Sequence, residues 1–173
     1  MLQFWFQELS EREWFVRSAD LDARIRARFL EVHERLLRQE AREVATPRAM
    51  LAAVIVLDQF SRNLFRGDPR AFAADPIARR IAKALVEQGF DREMAQQERL
   101  FVYLPFEHSE NREDQAFSVA LFSQLGNDDW TRYAIAHQRI IDRCGRFPHR
   151  NAVLGRPSTA DETALLQDPA NSF

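Results

Sequence analysis

Between Asp20 and Glu40 the apolar residues Leu21, Ile25, Phe29, Val32 and Leu36 return every three or four positions, and most of the rest are arginine and glutamate. That spacing belongs to a helix with one buried and one solvated face. The stretch PRAMLAAVIVLDQF, Pro47 to Phe60, is apolar on nearly every face, which predicts a helix enclosed by others. Further helices are predicted near residues 76–88, 96–104, 111–125, 129–144 and 159–167. Alternating strand patterns and Asn-Gly or Asp-Gly hairpin turns do not occur. The pattern therefore predicts an all-α fold of about eight helices.

Punctuation agrees with periodicity. The glycines all fall between the periodic segments, where a helix C-cap or a left-handed residue is wanted. Ser10 and Glu13 form a capping-box pattern, and Thr46-Pro47 and Asp75-Pro76 each put a capping side chain ahead of a proline suited to a first helical turn. Asn111 with Asp114 approximates another capping box, so Glu113 and Asp114 fall in a first turn, where the helix dipole favours acids. Pro105 reads as a helix stop, which leaves Glu107, His108 and Glu110 in the turn that follows it. Linkers are short and nothing divides the chain, so a single helical domain over residues 1–173 is expected.

Composition narrows the classes of function. The formal net charge is −2 and the isoelectric point about 6.1, which offers no general basic field for nucleic acid or acidic lipid. Lys83 is the only lysine among 24 basic residues, a bias that reflects base composition more readily than function. Cys144 is the only cysteine and fits a reducing compartment. The longest wholly apolar run is far shorter than the roughly 20 residues that span a bilayer. The N-terminal MLQFWFQELSERE has no basic segment ahead of an apolar one. A cytoplasmic protein is expected, with no nucleic-acid or membrane partner.

Candidate chemistry sits where polar groups meet apolar anchors. LDQFSRNLFRG delivers Asp58, Gln59, Arg62, Asn63 and Arg66 off the end of the apolar helix. RFPHRNAVLGRPST holds Arg146, His149, Arg150, Asn151 and Arg156 in a loop too apolar for an ordinary linker. YLPFEHSENREDQ supplies Glu107, His108 and Glu110. Trp130, Tyr133, Ala134, His137, Ile140, Ile141 and Cys144 form one stripe at helical spacing, which places His137 and Cys144 on an inward face. His33 lies on the charged helix and reads as a surface residue. The aromatic FWF reads as a docking anchor.

In order and spacing, FWF, LDQFSRNLFRG, RAFAADPIA, ERLFVYLPFEHSE, DQAFSVALF and GRFPHRNAVLGRPST resemble the bacterial family known as domain of unknown function 924. The resemblance covers almost the whole chain and implies stacked antiparallel helix pairs of tetratricopeptide-like build. It supplies no reaction and no cofactor. It does mark Asp58, Gln59, Arg62, Asn63, Phe65, Arg66, Glu107, His108, Glu110 and the run Arg146 to Asn151 as distinctive, with Ser61 where proline is expected.

Three readings stand at this point. Polar side chains at helix ends often brace loops against a core. Alternatively, Arg62, Arg66, Arg146, Arg150 and Arg156 line a concavity for a small anionic ligand or an acidic peptide terminus, since the guanidinium fork matches carboxylate and phosphate. The third is a hydrolase in which Glu107, Glu110, Asp58 or His149 serves as acid, base or metal ligand, although no His-Glu-x-x-His, nucleophile-elbow or phosphate-loop motif is present. The polar ends of LDQFSRN, PFEHSE and RFPHRN are expected to converge on one concavity, because polar clusters abutting apolar anchors are most cheaply satisfied by one another; convergence without solvent access favours the bracing reading.

Overall fold

The structure is a computed structural model that describes residues 1–39 and 44–167. Among these residues every regular element is helical and there is no strand, so the fold is all-α. None of these helices is long and apolar enough to cross a membrane. The chain forms two compact units, Met1–Arg66 with Arg70–Met94, and Gly67–Pro69 with Ala95–Phe173.

In the first unit FWF forms a π-helical turn, Phe4–Glu8, with Phe4 and Trp5 fully buried. A 3₁₀ turn over Glu11–Trp14 follows, opened by the Ser10/Glu13 capping box. Helix α1, Ala19–Arg38, starts on the Ser18 side chain and buries Leu21, Ile25 and Phe29. Glu40, the expected end of this helix, lies outside the described residues. Thr46 caps α2, Pro47–Ile55, by accepting from Ala49 N–H. The chain then passes through a π-helical turn, Val56–Phe60, into the single turn α3, Ser61–Leu64. The expected single α-helix from Pro47 to Phe60 is thus interrupted by a π turn, a change that an all-apolar sequence has no periodicity to reveal. After α4, Arg70–Ala73, comes α5, Asp75–Glu87, which packs on α2. Here Ala74 occupies the cap position, so Asp75 is a first-turn residue and not the capping one. Ring contact of Phe29 with Phe60, and hydrogen bonding of Asp22 to Asn63, set α1 antiparallel to the π–α3 segment.

The second unit is built on α6, Gln96–Glu107, α7, Arg112–Ser123, and α8, Asp128–Cys144. Tyr103 against Phe122 and Phe106 against Phe117 make α6 and α7 antiparallel. Thr131 Oγ1 donating to Phe122 O, and Arg112 to Asp142 O, do the same for α7 and α8. Gly145, at φ 69°, ends α8 in the left-handed region, and the chain continues through a 3₁₀ turn, Pro148–Arg150, to α9, Ala160–Gln167.

Pro105 does not stop α6; the helix continues two residues beyond it, so Glu107 is helical and only His108 to Glu110 lie beyond its end. This buried end is satisfied from the neighbouring helix. The fully buried Gln115 amide donates to Glu107 O at 2.6 Å and Ser109 O at 2.7 Å. Those carbonyls would otherwise be orphaned at a buried helix terminus.

Candidate functional site

The first unit collects Asp58, Gln59, Arg62, Asn63 and Arg66, and each has a partner. The π turn carries Asp58 and Gln59 inward, where Asp58 is 1% exposed. Arg62 donates to Asp58 O at 2.5 Å and forks onto the Asp75 carboxylate at 3.1 and 3.2 Å. Burial works against the Arg62 charge, but Asp58 and Asp75 outweigh it and raise its pKa. Arg66 grips the Asp22 carboxylate, with Asn63 donating to the same group at 2.8 Å. Arg26 closes the set by donating to Leu64 O.

His33 is not a surface residue: it is 1% exposed. The Ser61 hydroxyl donates to Leu57 O at 2.6 Å and lies 2.8 Å from His33 Nε2. With its one proton so used, Ser61 accepts from Nε2–H, which leaves Nδ1 the bare nitrogen, buried and without a hydrogen-bond partner among the described residues. Desolvation accordingly lowers the His33 pKa. A serine–histidine pair at this distance resembles an activated nucleophile, but both side chains are sealed in the core.

In the second unit PFEHSE and RFPHRN come together. The Glu110 carboxylate accepts a two-pronged fork from Arg156, at 2.8 and 3.0 Å, and the Phe147 N–H at 2.8 Å. Partial burial opposes ionisation of Glu110, but the Arg156 fork and the Phe147 N–H hold it below the usual carboxylate range. Arg146 forks in the same way onto Glu162 of α9, at 2.6 and 2.9 Å. Glu162 also accepts from Thr159 N–H at 2.8 Å and from the Asn151 amide at 3.3 Å. The Arg146 fork, and after it the Thr159 N–H, bring its pKa down to about 2. Thr159-x-x-Glu162 is a capping-box pattern legible in the sequence and overlooked in reading it.

Around Phe147 lie the remaining candidates. The Arg150 guanidinium stacks 4.6 Å from its ring centre, and Arg150 donates to His108 O at 3.0 Å. His149, which is exposed, lies 5.5 Å from the ring, and buried His137 meets it edge-on at 5.6 Å. His137 is 6.4 Å from His108, which is half-buried. His137 Nδ1 donates to Tyr133 O at 2.9 Å and is 3.4 Å from Glu107. Burial pushes its pKa down to about 3, so the ring is neutral near pH 7 and its approach to Glu107 is not an ion pair. The helical stripe places His137 in the core, and its neighbours in the fold make it part of the cluster as well. Tyr133 departs from the inward stripe and is 54% exposed. Cys144 is half-buried and packs on the Ile140–Phe147 cluster.

Chemically, the arginines expected to receive an anion are all engaged: Arg62, Arg66, Arg146 and Arg156 each hold a carboxylate of the chain itself, and Arg150 donates to His108 O. Among the described residues no group of three or more His, Cys, Asp or Glu is arranged to hold a metal ion.

The architecture defines an all-helical protein in which polar, ion-paired clusters brace helix ends and one cluster is rich in histidine. Residues 1–170 match the family described as bacterial protein of unknown function (DUF924), and the chain belongs to that family. It is similar to a solved structure of a protein of unknown function, ATU0120 from Agrobacterium tumefaciens, at 35% sequence identity. The alignment covers 96% of this chain and 94% of that chain with a TM-score of 0.90. No curated protein matches.

Proposed function

We propose that the protein is a helical binding module of tetratricopeptide-like build that takes a small anionic ligand or an acidic peptide terminus. Its receiving groups are exposed His149 and half-buried His108, with the buried Arg150 guanidinium behind them on Phe147, and not the wider set of arginines. The observation that carries this reading is the packing of His137, His149 and Arg150 on Phe147, with His108 beside His137, graded from buried His137 to exposed His149. Bracing alone has no use for an exposed imidazole on the aromatic ring that also carries a guanidinium. Imidazole and guanidinium donors on a rigid aromatic ring suit carboxylate or phosphate oxygens.

Thermal unfolding with phosphate, citrate and a short acidic peptide tests it. A ligand at a hundred times its Kd is expected to stabilise the wild type by about 2.7 kcal/mol. The shift should vanish in His149→Ala, an exposed and structurally mild change, and persist in Arg66→Ala. A wild type indifferent to all three anions ends the reading.

A further inference from the structure

Phe147 belongs to two structures at once. It shares an apolar cluster with Ile140, Ile141 and Leu165, the last contributed by α9. It is also the ring on which His137, His149 and Arg150 pack. Its backbone is pinned as well, since its N–H donates to Glu110 and its carbonyl accepts from Arg156 at 3.2 Å.

Helix α9 has little of its own to keep it in place. Its eight residues are too few to persist as an isolated helix. Its buried side chains are Glu162 and Leu165. Glu162 fastens three things together: the helix start through Thr159, the beginning of the preceding loop through Arg146, and the middle of that loop through Asn151. Undocking α9 therefore withdraws Leu165 from Phe147 and releases Arg146 and Asn151 in the same event. The ring that carries His149 and Arg150 loses its packing on one side and its flanking tether.

We propose that α9 is a strap that sets the position of Phe147, and through it the affinity of the histidine–arginine cluster for its anion, with Glu162 as the fastener. Control of affinity rests on the ligand reading above. The mechanical coupling of α9 to residues 147–151 does not.

Hydrogen–deuterium exchange on the whole chain, with phosphate titration alongside, separates the two. Glu162→Gln keeps the shape of the fastener and removes its charge; Leu165→Ala removes the apolar contact and leaves the charge. Both variants should speed exchange in residues 160–167 and in 147–151 together, by about tenfold or more, while α6 and α7 stay protected. Phosphate affinity should weaken in the same order as the exchange rises. Faster exchange confined to 160–167 in both variants would overturn the coupling. Joint opening with undiminished phosphate affinity would overturn control of the site. A wild type that binds no phosphate while the two segments still open together ends the ligand reading and leaves the strap standing.

Discussion

The arginines make opposite demands on stability according to what they do. In a preorganised anion pocket, unpaired like charges repel, and removing one raises stability. Arg156 instead holds Glu110, with the two side chains 23% and 30% exposed, and Arg62 holds Asp75 in a similar setting. Arg156→Ala leaves a half-buried carboxylate with only the Phe147 N–H, so a loss of about 1–3 kcal/mol is expected in urea unfolding. Arg28 and Glu8 form a pair of similar geometry, but at 45% and 37% exposure. Solvent screens them, and Arg28→Ala should cost less than Arg156→Ala, even with its contacts to the Phe4 and Phe29 rings counted. Equal losses in the two variants would show that burial does not set the value of these pairs. Arg62 and Arg156 are legible in the sequence as candidate residues, as are Arg66 and Arg146, but which carboxylate each one holds is not. Asp22, Asp75 and Glu162 lie far from them in the chain and look like ordinary helix-start acids. His33 misled for the same reason: a histidine among Arg and Glu reads as solvated unless Ser61, 28 residues on, is known to face it.

Helices were the most legible level, because caps and periodicity are local. Thr46 and Asn111 each accept from backbone N–H groups at the helix starts they predict. What failed were the departures from regular geometry. A π turn inside a helix buried on all sides leaves no mark on the hydrophobic pattern, and Pro105 reads as a terminator because proline lacks the N–H its helix would use and its ring crowds the preceding turn. The end of α6 survives beyond Pro105 because Gln115 of α7 supplies donors to Glu107 O and Ser109 O from the neighbouring helix. Gln115→Leu should therefore fray α6 from its C-terminal end, with a stability loss of about 1–3 kcal/mol from stranded carbonyls. Amide exchange at His108 and Ser109, whose N–H groups bond to Leu104 O and Phe106 O, should rise more than exchange at the middle of α7. Uniform acceleration across α6 and α7 would mean that Gln115 acts by general packing and not as a cap.

Acid sensitivity is a property of the whole chain, because a buried histidine lies in each unit, His33 in the first and His137 in the second. Desolvation depresses both folded pKa values below the ordinary value of 6.5, to about 3 for His137. A depressed pKa means that the unfolded chain binds the proton more readily, so the stability contributed is whole above pH 6.5 and is lost as pH falls toward the folded value. Glu162 and Glu110 act in the same direction but lower: their contributions are whole above their ordinary value of 4.5, and that of Glu162 is lost toward about 2. The histidines therefore control the upper part of the acid limb and the carboxylates the lower part. His137→Asn keeps an amide N–H near the position of Nδ1, for Tyr133 O, and His33→Gln keeps one near Nε2, for Ser61. Neither replacement can take up the proton. Urea unfolding at pH 7.5, 6.0 and 5.0 should show the wild type weakening steadily, and His137→Asn should reduce that slope by about 1.4 kcal/mol per pH unit below pH 6. The double variant should be flatter still down to about pH 5, where carboxylate protonation takes over. A double variant that loses stability as steeply as the wild type between pH 6 and 5 would move the origin of the acid limb from the buried imidazoles to the ion-paired carboxylates.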